Sequence, residues 1–201
     1  MFSFPVAHEM LYFDIPAVQV NDVAAWILLA DEAWLRYQIE TQGSALVIGY
    51  YGQRGFQRLT ELPKEAGVAE PFYGTTGGAY HFIFTIQQDK TVLRVEHVNG
   101  DRFNLKPYEV VLDSSPKFET HAKPSAYWNS NSLDKLIHNR KYNYSMFIDG
   151  EIYVNMVAAG WQKETAHTYS YEFIPTTVGC RIILYNLLSG QSTDLTEAID
   201  P

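Results

Sequence analysis

Apolar residues recur at helical spacing over only one long stretch. Val23, Ile27, Ala30, Trp34 and Tyr37 fall on one stripe, widened by Ala24, Leu28, Leu35 and Ile39. A period of 3.6 predicts an amphipathic helix with one face on a core. Asn21 or Asp22 is placed to cap its start by accepting from the free N–H groups of the first turn. Glu32, Arg36 and Glu40 are four apart on the opposite side, where they can pair at the surface. Gly43 stands where a helix ends in a left-handed residue. Ahead of this helix Pro5 and Pro16 break any helical run, and Leu11-Tyr-Phe-Asp-Ile15 reads as a short strand.

Beyond Gly43 the period falls to two. Ala45 to Tyr51 has the pattern of a buried strand, Phe56 to Leu62 fits either a strand or a short helix, and 63–79 is loop-like. Tyr80, Phe82, Phe84 and Ile86 then alternate with His81, Thr85 and Gln87, and Thr91 to Val98 returns after the turn at Gln88-Asp-Lys90. Asn99-Gly100 is a hairpin signal, because a type I′ turn needs positive φ at both central residues. Arg102 to Leu105 and Tyr108 to Leu112 extend this meander. A second irregular stretch covers 113–131, and Ser132 to His138 reads as a short helix. Tyr144 to Ile148, Asp149-Gly150 and Glu151 to Val157 predict a second hairpin. The two turns share an order of residues, which convergence of hairpins explains better than duplication. Tyr169, Tyr171 and Phe173 mark another strand, and Arg181 to Leu188 is apolar on both faces, as in a central strand. Asp194-Leu-Thr-Glu197 resembles a capping box opening a last short helix. The expected class is α+β: mostly antiparallel sheet, one long N-terminal amphipathic helix on a face, and two short helices.

Composition narrows the object more than its role. The 201 residues fit one domain, and 46% hydrophobic with 19% charged residues describes a folded chain. A net charge of −8 without a basic block argues against nucleic acid as a partner. No run approaches the ~20 apolar residues that cross a bilayer. The first residues carry no secretory signal, and Cys180 is the only cysteine. Together these point to a cytoplasmic, disulfide-free protein.

Candidate chemistry is sparse. Phe72-Tyr-Gly-Thr-Thr-Gly-Gly-Ala-Tyr-His-Phe82 has the glycines of a phosphate cradle, but the spacing of a P-loop fails and no lysine follows. A strand pattern rather than a helix comes after it, so the aligned N–H groups and dipole are missing. None of the six histidines is spaced for a local metal site, and no cofactor is implied. His81 and His97 lie on neighbouring strands, on the face opposite Tyr80 if the register is simple. With Glu96 they form the candidate acid/base group. Glu96 also stands two residues from Arg94, so a structural ion pair is expected.

The aromatic load is 14%, and Tyr127-Trp-Asn-Ser-Asn131 sets rings among amides in a loop. The reading preferred from sequence is a binding protein that holds a partner protein or small polar ligand. It would do so through the 63–79 and 113–131 loops, with Tyr73, Thr75, Tyr127, Trp128 and Asn129 as ligand-binding residues. The alternatives are a hydrolase or transferase using His81, Glu96 and His97, and a homo-oligomeric structural component.

Overall fold

A computed structural model describes residues 7–43, 79–122, 133–138, 140–176 and 179–196. Among the described residues, nine strands and three helices run in the order β1 (Ala7–Ile15), α1 (Ala17–Gln42), β2 (Tyr80–Gln87), β3 (Lys90–His97), β4 (Tyr108–Leu112), β5 (Lys117–Ala122), α2 (Leu133–His138), β6 (Tyr144–Ile148), α3 (Gly150–Ala158), β7 (Tyr169–Thr176), β8 (Gly179–Asn186) and β9 (Ser192–Asp194). They form a three-stranded sheet, β5-β1-β6, and a six-stranded sheet, β4-β3-β2-β7-β8-β9. Every pairing is antiparallel. The α+β expectation is met, with a long helix near the start and two short ones.

The sheets meet through aromatic residues that alternate along their strands. Phe13 of β1 stacks on Phe84 of β2 at 4.7 Å between ring centroids, and it lies 4.9 Å from Tyr171 and 5.8 Å from Phe173 of β7. Period-two alternation puts these rings on one face of each strand and the intervening residues on the other. Trp161 closes the same core: its Nε1 donates to the Tyr171 hydroxyl at 2.7 Å, which donates onward to the Ala166 carbonyl at 3.0 Å. Helix α1 adds Val20, Val23, Ala24, Ile27 and Ala30 to this core. Its Trp26 and Trp34 reach Tyr80, where β2 begins, and His97, where β3 ends.

Several local readings are corrected. Helix α1 starts at Ala17, directly after Pro16, so Asn21 and Asp22 lie inside it. Proline lacks an N–H and is pre-set for a helix entrance, and here it marks the true start. Asn21 instead donates its side chain to the Ala17 carbonyl at 3.2 Å. Gly43 does end the helix, with φ of +84° and its N–H on the Ile39 carbonyl.

Asp149-Gly150 is no hairpin turn. The Asp149 side chain accepts from the Ile152 N–H at 3.1 Å and caps α3. Ile152 and Met156 are both buried. Their spacing of four fits a helix, and an Asp at the N-cap decides between the two periods.

Asn99-Gly100 opens a 3-10 turn over Gly100–Phe103, and Asn99 has φ of −108° rather than the positive value a type I′ turn needs. Arg102 to Leu105 is therefore not a strand, although β3 and β4 still pair. Beyond β9, the Asp194 side chain accepts from the Thr196 N–H, and Glu197 lies outside the described residues. The strand and loop expected over 45–78 lie outside them as well.

Candidate functional site

With the aromatic rows of the six-stranded sheet turned to the core, its other face carries the alternate residues. From β3 come Val92, Arg94 and Glu96; from β2, His81, Ile83 and Thr85; from β7, Ser170, Glu172 and Ile174; from β8, Arg181, Ile183 and Tyr185. Strand β7 is central, and Glu172 stands between Ile83 on one neighbour and Ile183 on the other. Two apolar cross-strand partners leave its carboxylate only diagonal neighbours to bond with. Of the four diagonal positions, His81, Thr85, Arg181 and Tyr185, His81 and Tyr185 are the two that engage it.

His81 Nδ1 lies 2.6 Å from Glu172 Oε1, with the two side chains 21% and 5% exposed. A carboxylate that far out of water is held by its hydrogen bonds, since an unpaired buried charge is costly. The imidazole donates from Nδ1, which sets its tautomer and ring orientation. Tyr185 stands on the other side of Glu172, and its pKa is raised by burial and then by the charge and hydrogen bond of Glu172. The result is a carboxylate gripped by an imidazole and a phenol in the middle of a sheet face.

Around this centre each arginine faces a carboxylate. Arg94 Nε donates to Glu96 at 3.0 Å and its Nη1 lies 3.7 Å from Glu109. Arg181 pairs with Asp194 across β8 and β9. Burial by itself would raise the Asp194 carboxyl, but hydrogen bonds from Thr196 and Arg181 outweigh it and hold the group below the usual range.

The expected acid/base trio does not assemble. His81 lies opposite Glu96 in the β2–β3 register, but His97 lies opposite Tyr80. Opposite partners share a face, so the two histidines point to opposite sides of the sheet. His97 is on the core side, packed against Tyr80, Trp34 and Phe103 at 5.3–5.5 Å. Its Nδ1 accepts the Asn99 backbone N–H at 3.1 Å, which fixes the neutral ring with the proton on Nε2. Burial, and secondly the charge of His81, push its pKa down to about 4. Glu96 takes the structural role, paired with Arg94.

Tyr73, Thr75, Tyr127, Trp128 and Asn129 lie outside the described residues. Sequence reasoning missed Glu172 as the partner of His81, and it missed Tyr185. A charge inside Tyr169-Ser-Tyr-Glu-Phe173, where the odd residues already face the core, was the available signal for Glu172. Among the described residues no group of three or more His, Cys, Asp or Glu is placed to hold a metal ion, and no helix is long and apolar enough to cross a membrane. The chain matches no protein-family model, and neither a curated protein nor a solved structure matches it.

Proposed function

We propose that this is a binding protein that uses the face of the six-stranded sheet opposite its aromatic rows, centred on Glu172, His81 and Tyr185, to hold a small polar ligand or a polar segment of a partner protein. One observation supports this above the rest. A glutamate is withdrawn from water on the face opposite the aromatic rows, and it is held by two side chains able to exchange hydrogen bonds. Folding alone would be served by an apolar residue there, because replacing buried ionic groups with apolar ones is often neutral or stabilising. A ligand with a donor and an acceptor would compete for the hydrogen bonds of this centre, and Ile83 and Ile183 would flank it with apolar contact.

The test is a thermal-shift screen of the full chain against sugars, nucleotides, amines and short peptides, run in parallel on wild type and His81→Ala. A ligand that stabilises raises the folding free energy by RT ln(1 + [L]/Kd). At least one class is expected to shift the wild type and not the variant. Ligands that shift both proteins equally would show that the sheet face does not bind them.

The second reading is acid/base chemistry. It rests on the 2.6 Å contact of Glu172 with His81 Nδ1, the arrangement that orients an imidazole as a general base. It replaces the predicted trio of His81, Glu96 and His97 with the pair His81 and Glu172. Turnover of any ligand found in the screen, with a pH profile lost in His81→Ala, separates it from plain binding.

A further inference from the structure

A second polar cluster lies on the other side of the same sheet, in the seam where α1 crosses β2. The Tyr80 hydroxyl is within bonding distance of two oxygens of α1: the Ile27 carbonyl at 3.2 Å and a carboxyl oxygen of Asp31. A phenol has one proton to give, and a carbonyl and a carboxylate both only accept. With Asp31 ionised, two acceptors compete for that one proton. A proton on Asp31 removes the conflict: Asp31 donates to Tyr80, and Tyr80 donates to Ile27. The chain then runs in one direction and both contacts are hydrogen bonds.

We propose that Asp31 docks as a neutral carboxylic acid and that the seat of α1 on the sheet is a proton-sensitive latch. Closing it takes one proton from water per molecule. When that proton leaves, Tyr80 turns its hydrogen to the carboxylate and the Ile27 carbonyl loses its bond to the sheet. This stands on the hydrogen-bond arrangement and on the packing around it.

Among the described residues no charge shifts Asp31, and Lys106, whose carbonyl accepts from the Trp26 Nε1 beside Tyr80, is exposed. From β3 comes His97, ring to ring with Tyr80 at 5.3 Å and kept neutral by burial. From the 3-10 turn Asp101 and Arg102 are exposed. From β4 comes Tyr108, its own pKa raised by burial and then by Asp22. On α1 itself Glu32 and Arg36 pair with each other on the solvent side. In this setting desolvation raises the Asp31 pKa from 3.8 to about 7, opposed by the bond from Tyr80. The folded pKa is raised above the unfolded value. The stabilisation is therefore complete below about pH 4 and is lost as pH rises through about 7.

The experiment is a carboxyl carbon-13 NMR titration of the full wild-type chain, with Asp31 identified by the resonance missing from Asp31→Asn. A midpoint near 7 is expected, and a midpoint below 5 would overturn the proposal. Denaturant unfolding of the two proteins from pH 4 to 9 supplies an independent reading. The asparagine amide keeps a donor toward Tyr80 and does not titrate. The ratio of the two folding constants should change by up to about tenfold per pH unit below 7 and level off above it. A ratio flat over pH 5 to 8 would equally refute the latch.

Discussion

Removing His81 should cost more than removing Glu172, and the two losses should not add. The contact is 2.6 Å long, with Glu172 5% exposed and His81 21% exposed. Exposed ion pairs couple by about 0.2–1 kcal/mol, whereas hydrogen bonds to a charged group contribute about 1.5–3 kcal/mol. The glutamate is nearly dry and the histidine keeps some water. A coupling of about 1–2 kcal/mol is therefore expected, above a surface pair and below a sealed one. His81→Ala strands a carboxylate that keeps its bond from Tyr185 but loses the imidazole, at a cost of about 2–3 kcal/mol. Glu172→Ala leaves an imidazole that can turn to solvent, and it should cost about 1 kcal/mol less, because an accessible group recovers its bond from water. Urea unfolding at pH 7 of the wild type, the two single variants and the double variant closes the cycle. A coupling under about 0.3 kcal/mol, or the reverse order of the single losses, would show that Glu172 is not held by His81.

Three further outcomes are expected from the fold. Phe13→Ala removes a ring buried against Phe84, Tyr171 and Phe173 and should lower stability by about 3–5 kcal/mol in urea unfolding, since the two sheets close around it. Asp149→Ala, which loses the cap on the Ile152 N–H, should cost about 1 kcal/mol in the same assay, while Asp149→Asn should cost a few tenths. His97 gives a pH signature opposite to that of Asp31. Its folded pKa of about 4 lies below the ordinary 6.5, so the unfolded state binds the extra proton and stability is lost as pH falls from about 6.5 to 4. With some solvent screening left at the ring, the loss should be about 1–2 kcal/mol. Unfolding measured against pH should show this slope in Asp31→Asn and show it outweighed in the wild type, where Asp31 works the other way by up to about 3 kcal/mol over the same range.

The parts of this fold legible in the sequence are those set by local period. The stripe from Val23 to Tyr37 named a helix, and the alternation of Tyr80, Phe82 and Phe84 named a core-facing strand row. Boundaries and turns were less legible where two local signals compete. Asn99-Gly100 and Asp149-Gly150 are both turn-formers, yet one opens a 3-10 turn and the other caps a helix. The residues after each dipeptide decide, through the spacing of side chains such as Ile152 and Met156 that can reach the core. The site was half legible. His81 was found because it alternates with an aromatic row. Its pairing with Glu172 depends on β2 lying between β3 and β7, and strand order is set by packing of the whole sheet rather than by neighbours in the chain. His97 was misplaced for a simpler reason: the β2–β3 register sets it opposite Tyr80, and a shift of one residue exchanges the two faces of a strand.

The proposal that the sheet face around Glu172 is the recognition surface is tested most directly by amide NMR of the full chain, titrated with the strongest stabilising ligand from the screen. Shifts should concentrate at His81, Ile83, Glu172, Ile183 and Tyr185 and disappear in His81→Ala. Shifts confined to α1 and α3, with those five residues unmoved at saturation, would contradict it.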